Sequence, residues 1–253
     1  MFYGTLKTTQ MKSIYLDIGN SSLKLAEKQN GDWFIVYRES LNEAEKLIDF
    51  VKKNYPGSHM IVSSVRADIS EIITSNFNDT KITLLSSLSI PPAMLNYGTP
   101  KTLGLDRFLA CLAAWKMSLS DVVVVDTGSA CTIDFMSKAG VFMGGIITPG
   151  LGMIRDSITA KLPELPVPEV VIPEVWPGKT TAESIQWGAY WGYAEMVKRF
   201  LDKYLEKHPY AAIYLTGGDA VFLSEQLKSV YDVEVREFLQ FEGMSEFYKM
   251  ERL

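Results

Sequence analysis

Three short glycine-containing turns hold the side chains best suited to phosphate and metal chemistry. Residues 17–21 read DIGNS, residues 126–130 read DTGSA, and residues 215–219 read LTGGD. Backbone N–H groups of such turns bind phosphate oxygens, and a carboxylate such as Asp17 can enter a Mg²⁺ coordination shell. Taken alone, Asp17 fits an Asx turn that closes a hairpin equally well. The recurrence of the pattern at Asp126, with several hydroxyl side chains nearby, favours phosphate binding.

The first two turns differ from the common nucleotide-binding loops in the element that each turn opens. In P-loop and Rossmann motifs the glycine-rich turn opens a helix, whereas here each of the two turns opens a strand. A strand–turn–strand pattern that occurs twice predicts two similar halves. A nucleotide would lie in the cleft between the halves, with its phosphates on the two hairpin tips and its nucleoside near the third turn.

A fourth motif, Gly104-Leu105-Asp106-Arg107, begins a predicted helix after a proline-containing loop. Asp106 fits a first-turn acid that is stabilised by the helix dipole. It also fits a general base that accepts a hydroxyl proton during phosphoryl transfer, with Arg107 binding an anionic group of the substrate or the transferring phosphoryl group. The two histidines, His59 and His208, are predicted far from every glycine turn, so the base is expected to be a carboxylate.

An alternation of strands and helices must position these motifs, and this order is typical of an α/β protein. Apolar alternation or continuous apolar runs predict strands, and apolar residues at helical spacing predict helices. The strands are predicted at 13–19, 21–28, 33–37, 60–65, 82–85, 121–136 with a turn at its centre, 141–150 and 211–216. The helices are predicted at 42–55, 67–76, 106–117, 151–160, 180–207 and 221–227, with irregular proline-rich segments at 91–103 and 163–177.

The composition excludes several functional classes. The 253 residues carry a net charge of −5, which disfavours nucleic acid and anionic membranes as partners. No apolar stretch reaches the ~20 residues that a membrane-spanning helix needs. Cys111 and Cys131 lack C-x-x-C spacing, and two buried free thiols fit a reducing compartment, so we expect a cytoplasmic protein.

The domain organisation is predicted from the repeated motif. Residues 1–10 have no apolar signal-peptide core and are expected to be an upstream translational start or an unstructured extension before Met11. We expect an N-terminal half at 11–117 and a C-terminal half at 118–253.

Six motifs in the same order resemble those of the type III pantothenate kinases, which belong to the superfamily of acetate kinase, sugar kinases, Hsp70 and actin. They cover nearly the whole chain after Met11. The motifs are DIGNSSLK (17–24), GLDR (104–107), DTGSACTID (126–134), GGIITPGLGMIRDSITAKLP (144–163), TTAESIQWG (180–188) and LTGGDA (215–220). The resemblance implies duplicated actin-like, or ribonuclease H-like, halves with a nucleotide cleft between them.

The resemblance also implies an activity, which is ATP-dependent phosphorylation of the primary hydroxyl of pantothenate, the first step towards coenzyme A. Phosphoryl transfer of this kind depends on positioning and charge neutralisation. The family uses Mg²⁺ together with K⁺ or NH₄⁺, and it forms homodimers whose interface helps to build the substrate site.

Roles for individual residues come from the same resemblance. Asp106 corresponds to the general base, Asp126 to the ligand of the monovalent cation, and Asp17 is a candidate Mg²⁺ ligand. The ATP-binding residues would be Asp17, Ile18, Gly19, Asn20, Ser21, Ser22, Leu23, Lys24 and Ser129, and the pantothenate-binding residues would be Tyr97, Gly104, Leu105, Asp106, Arg107 and Thr181. Ser21 and Ser129 stand where the family more often has threonine, which keeps the hydroxyl.

Two alternative functions differ from this assignment. Some relatives of these kinases are described as accessory factors for gene expression, and a regulatory module of that kind would not need Asp17, Asp106, Arg107 and Asp126 to be intact. A kinase of the same superfamily that acts on a sugar or on acetate is the other alternative. The small size of the chain and its GLDR turn weigh against it.

Overall fold

The fold consists of two compact units, each built around a five-stranded sheet. The structure, a computed structural model, describes residues 12–77 and 80–252. The first unit comprises the described residues up to Ser86 together with those from Tyr248 onward, and the second unit runs from Ser87 to Phe247. The predicted N-terminal extension, residues 1–10, lies outside the described residues.

The first unit has a mixed sheet with two helices. Its strands lie in the order β3-β2-β1-β4-β5, in which β1, β2 and β3 are antiparallel and β1, β4 and β5 are parallel. The elements are β1 (Ser13–Ile18), β2 (Ser22–Gln29), β3 (Asp32–Ser40), α1 (Ala44–Asn54), β4 (His59–Ser64), α2 (Ala67–Ser75) and β5 (Lys81–Leu84). The hairpin between β2 and β3 turns at Asn30 and Gly31, both with positive φ, as the sequence predicts.

The second unit repeats this sheet and adds more helices. Its strand order is β10-β9-β6-β7-β8, with β6, β7 and β8 antiparallel and β6, β9 and β10 parallel. The elements are α3 (Leu105–Ser118), β6 (Val122–Thr127), β7 (Ala130–Met136), β8 (Phe142–Pro149), α4 (Leu151–Lys161), α5 (Thr181–Ile185), α6 (Gly192–Leu205), β9 (Ala212–Gly217), α7 (Ala220–Leu227), β10 (Val233–Val235) and α8 (Leu239–Met250). The last residues of α8, from Tyr248 onward, are assigned to the first unit.

Both sheets have the same connectivity, since each begins with a three-stranded antiparallel meander and continues with two parallel strands on the other side of its first strand. The prediction of two similar α/β halves is therefore confirmed. The four valines of β6 are at most 1% exposed, as expected of a strand covered on both faces. Helix α3 packs against β6 and β7, so it belongs to the second unit. The boundary between the two compact units thus lies after residue 86. The boundary between residues 117 and 118 was predicted for the two duplicated halves, and it stays a prediction.

Two parts of the fold differ from the sequence prediction. The helix predicted over 180–207 contains a π-helical segment, Gln186–Trp191, between α5 and α6. Strand β10 and helix α8 were not predicted at all.

Each histidine is part of the packing, since His59 is buried and contacts Thr83, and His208 stacks on a tyrosine. In the part of the chain that the structure describes, no helix has both the length and the apolar character needed to cross a membrane.

A test of the fold concerns Gly243, where α8 lies directly on the backbone of α3. A Cβ atom at this position would overlap the carbonyl group of Leu109 and lie 2.9 Å from its Cα atom. Because backbone cannot move aside cheaply, we expect Gly243→Ala to lower the free energy of unfolding by about 1–3 kcal/mol. Chemical denaturation measures this change.

The matched control is Gly152→Ala in α4, where an added Cβ meets no atom within 4 Å. We expect that variant to be as stable as the wild type or more stable by up to about 1 kcal/mol, since alanine favours the helix. Equal unfolding midpoints for the two variants would contradict the close packing of α8 on α3.

Candidate active site

The turn at residues 17–21 joins β1 to β2 in the first unit. Asp17 pairs in register with Lys24 of β2, so a carboxylate and an ammonium group are cross-strand neighbours on one face of the sheet. The Gly19 N–H donates to the Ser22 carbonyl oxygen at 3.1 Å and closes the turn. Asn20 is exposed at the tip.

The predicted ATP-binding residues of this turn are thus brought together, but they differ in what they can offer. Ile18 and Leu23 are fully buried and anchor the hairpin in the core, so only their backbone groups could reach a ligand. Ser21 is exposed, whereas Ser22 is half-buried.

Two of the glycine turns meet in the second unit. The Thr127 hydroxyl donates to the Thr216 carbonyl oxygen at 2.9 Å and accepts from the Asp219 N–H at 3.1 Å. Gly217 has a φ of +92°, and a Cβ there would lie 2.7 Å from Asp126 Oδ1. Thr127 is buried and ties the turns together, so it is structural, whereas Ser129 at the tip is exposed.

Asp126 differs from Asp17 in its cross-strand neighbours. Its register partners are Thr132 on β7 and Thr216 on β9, which both carry hydroxyl groups and no charge. The equivalent position in the first unit has Lys24 as a neighbour. Asp126 and Asp17 therefore have different cross-strand neighbours, although they hold equivalent positions in the two sheets.

Asp106 lies in the first turn of α3 and is half-buried. Its Oδ1 atom accepts the Arg107 backbone N–H at 2.9 Å. Gly104 makes room for this arrangement, because a Cβ at that position would lie 2.5 Å from the same oxygen. Burial raises the pKa of the Asp106 carboxyl, although the Arg107 backbone N–H and the Arg107 charge act in the opposite direction. The carboxylate is thus a stronger base than an exposed aspartate.

The Arg107 side chain is buried in an ion pair that sequence reasoning did not find. Its Nε atom donates to Asp134 Oδ1 at 2.9 Å and to Oδ2 at 3.2 Å, and its Nη2 atom also donates to Oδ1. Only 8% of the Arg107 side chain and 2% of the Asp134 side chain are exposed. The guanidinium predicted to bind an anionic substrate group is therefore held along one edge by Asp134.

Aromatic rings and two glycines surround this ion pair. The Arg107 Cζ atom lies 6.0 Å from the centre of the Tyr97 ring and 5.8 Å from that of Phe142. A Cβ at Gly145 would overlap Asp134 Oδ1 and lie 2.8 Å from Arg107 Nη2, and one at Gly144 would touch the Tyr97 ring. Gly145 is thus required by the lack of space, whereas Gly144 has a φ of +93°, which favours glycine.

The segment around Thr181 is held by the π-helical segment. Thr180 caps α5 in a capping box with Glu183, and Thr181, the first residue of the helix, is exposed. Three side chains of the π-helical segment donate hydrogen bonds to backbone carbonyls of the proline-rich stretch. The bonds are Gln186 Nε2 to Glu169 at 3.0 Å, Trp187 Nε1 to Val175 at 2.9 Å and Tyr190 Oη to Pro168 at 2.9 Å.

The family model for type III pantothenate kinase matches residues 13–203, which include Asp17, Asp106, Asp126 and Thr181. The chain belongs to the type III pantothenate kinase family. A protein named type III pantothenate kinase from Flavobacterium johnsoniae is 31% identical over 219 residues, which are 85% of this chain and 88% of the relative. Another protein of that name, from Fervidobacterium nodosum, is 28% identical over 93% of this chain and 96% of its own length.

Solved structures agree with an actin-like fold. A Campylobacter jejuni protein, described as a conserved putative Baf family transcriptional activator, is 23% identical, with a TM-score of 0.64 over 94% of this chain and 98% of its own. MreB5 of Spiroplasma citri, bound to AMPPNP, is 11% identical, with a TM-score of 0.54 over 96% and 97% of the two chains. At these identities the likeness shows the fold alone, and the predicted actin-like fold class is confirmed.

Asp134 belongs to the candidate site, but the sequence analysis assigned it no role. It ends the quoted motif DTGSACTID and lies within the apolar strand β7, on the face opposite Cys131 and Ile133, where it is buried. A carboxylate in such a strand needs a partner, because an unpaired buried charge is costly. Its position therefore carried a signal that a cation such as Arg107 lies opposite.

A test of the ion pair uses Gly145→Ala. The added methyl group would displace the Asp134 carboxylate and the Arg107 guanidinium, so we expect the free energy of unfolding to fall by about 1–3 kcal/mol, as for overpacking. Gly98→Ala is the control, because a Cβ there meets nothing within 4 Å. Chemical denaturation of both variants measures the difference, and a Gly145→Ala variant as stable as Gly98→Ala would refute the steric role of the glycine.

Proposed function

We propose that this chain transfers the γ-phosphoryl group of ATP to the primary hydroxyl of pantothenate, with Asp106 as the general base. Family membership supports the reaction, and Asp106 carries the proposal for its mechanism. Its carboxylate is fixed by the Arg107 backbone N–H beside a glycine that leaves room for it, and burial raises its pKa. A base of this kind can accept the hydroxyl proton as the oxygen attacks phosphorus.

A second group of residues would hold pantothenate. We assign this role to Tyr97, to the turn Gly104–Arg107 and to Thr181. Tyr97 supports it by its contact with the Arg107 guanidinium, and Thr181 by its exposed place at the start of α5.

The ATP phosphates are assigned to the β1–β2 turn and to Ser129. The turn offers backbone N–H groups, the exposed Asn20 and Ser21 side chains, and the charge of Lys24. Mg²⁺ fits Asp17, because this ion is commonly held by one or two carboxylates together with phosphate oxygens and water. Among the residues described, no group of three or more His, Cys, Asp or Glu could hold a metal by itself, and such a phosphate-assisted site does not require one. When bound, Mg²⁺ would neutralise charge on the transferring phosphoryl group.

K⁺ or NH₄⁺ is assigned to Asp126. The hydroxyl-bearing neighbours on both adjacent strands and the close approach of Gly217 provide an oxygen-rich setting for a cation. Asp126 would hold the ion next to the turn that ends with Ser129.

Two further features complete the proposal, a homodimer and a cytoplasmic location. The aromatic cluster of Trp176, Trp187 and Trp191 lies in the segment around Thr181, with Trp176 68% exposed, and a partner subunit would cover it. Both cysteines are free and buried, which fits a reducing compartment. Sedimentation analysis of the purified protein tests the dimer.

The first test is ATP-dependent phosphorylation by the purified protein, with and without K⁺. We expect phosphopantothenate to form in a K⁺-dependent reaction and no product with glucose or acetate as acceptor. Turnover of glucose or acetate would point to another kinase of the superfamily. Folded protein without turnover on any acceptor would favour a regulatory module instead.

The role of Asp106 is tested by Asp106→Asn, which keeps the shape but cannot accept the proton. We expect the rate to fall at least about 100-fold, the range typical of lost general-base catalysis. Because the folded state raises the pKa of this acid, its charged form is disfavoured by folding, and the neutral variant should unfold at or above the wild-type midpoint.

ATP-analogue binding to Asp106→Asn, measured by calorimetry, serves as the control and should stay within about twofold of the wild type. Retention of more than a few per cent of the wild-type rate would remove Asp106 from the role of base.

A further inference from the structure

We propose that Asp134 is a positioning residue for pantothenate binding, which acts by fixing the guanidinium of Arg107 beside Tyr97. The inference rests on the proposed function, because it concerns the acceptor of that reaction. Asp134 itself is 1% exposed and acts through Arg107.

The geometry of the pair determines which part of Arg107 is available. Asp134 takes the edge formed by Nε and Nη2, with two bonds from Nε and one from Nη2. Because Asp134 fixes this edge, the neighbouring edge of the guanidinium, formed by Nη1 and Nη2, points in a constant direction. The Tyr97 and Phe142 rings lie 6.0 Å and 5.8 Å from the Arg107 Cζ atom, so the guanidinium has little room to change its rotamer.

Asp134 is itself held by the neighbouring strands of the sheet. On one side its register partner is the buried Val124 of β6. Gly145 lies opposite in the register of β8 and leaves the space that the carboxylate fills. The position of Arg107 is thereby determined by a strand of the sheet, which is more rigid than a loop.

An ion pair is a costly way to stabilise this part of the unit. Apolar residues of similar volume often stabilise a core as well as a buried ion pair does, because both charges must be desolvated. The pair lies directly beside Asp106 and Tyr97. A guanidinium fixed at this place can bind a negatively charged acceptor. Pantothenate carries a carboxylate, and charge-assisted hydrogen bonds from arginine are among the strongest that a protein can offer such a group.

The test compares binding of pantothenate with binding of a non-hydrolysable ATP analogue by calorimetry. In Asp134→Asn we expect pantothenate to bind at least about 10-fold more weakly, and the ATP analogue to bind within about twofold of the wild type. The KM for pantothenate should rise by the same factor. Asp121→Asn is the matched control, since Asp121 supports the same sheet through the Lys138 N–H at 2.9 Å and should change neither affinity.

A double-mutant cycle separates positioning from a general structural role. If Asp134 acts through Arg107, the variant with both Asp134→Asn and Arg107→Lys should bind pantothenate no more than about threefold more weakly than the weaker single variant. If the double variant instead loses pantothenate affinity by the product of the two single fold-changes, the inference is wrong. An Asp134→Asn variant with unchanged pantothenate affinity, including one that loses only kcat, would also overturn it, because Arg107 would then act on the phosphoryl group.

Removal of a buried charge partner can prevent folding, and Gly145→Ala then decides. This variant keeps both charges, and its added methyl group displaces the Asp134 carboxylate and the Arg107 guanidinium from their contact. We expect at least about a threefold loss of pantothenate affinity with unchanged ATP-analogue binding, and no loss would refute the inference. A wild-type protein that neither binds nor phosphorylates pantothenate would instead refute the proposed function, and the inference would fail with it.

Discussion

Burying the Arg107 guanidinium and the Asp134 carboxylate in the second unit removes two charges from water, at a cost of several kcal/mol each before they pair. The surrounding chain has to meet that cost with close geometry. Helix α3 must start where its third residue, Arg107, reaches the sheet, and β7 must carry a carboxylate at a buried position. Strand β8 must leave space for that carboxylate, as Gly145 does. The start of α3, which also carries Asp106, is therefore placed by an electrostatic constraint as much as by apolar packing.

The glycines around the site reflect the same requirement for close approach. At Gly104, Gly145 and Gly217 an added Cβ would come within 3 Å of a carboxylate oxygen, on Asp106, Asp134 and Asp126 respectively. Gly217 in addition has a positive φ, which a residue with a side chain adopts only with strain. Each of the three acidic side chains thus has a glycine beside it. At these three positions glycine leaves the space that a carboxylate occupies next to the backbone.

Periodicity and turn residues were sufficient to predict most of the fold, because the strands are strongly apolar and the hairpin at Asn30 and Gly31 has a clear signal. The repeated turns also predicted the duplication. Helix α8 was missed because its Gly243 and its mixed polar sequence weaken the helical pattern, and only its packing on α3 explains the glycine. The π-helical segment depends on hydrogen bonds to a stretch of chain some twenty residues earlier, and local sequence does not reveal such partners. For the same reason the sequence predicted that the Arg107 side chain binds a ligand. Its actual partner, the Asp134 carboxylate, is 27 residues away along the chain.

The two halves have kept one topology while their equivalent turns have acquired different chemistry. In the first unit the carboxylate at the end of the central strand has Lys24 as its cross-strand neighbour, so the turn combines a carboxylate, a cation and backbone donors. In the second unit the equivalent Asp126 has Thr132 and Thr216 as neighbours. A lysine suits phosphate oxygens, which need positive charge, whereas hydroxyl and carbonyl oxygens around a carboxylate suit a cation. The residue at this register position, Lys24 in one unit and Thr132 in the other, therefore supports the proposed assignment of the ATP phosphates to the first turn and of a monovalent cation to the second.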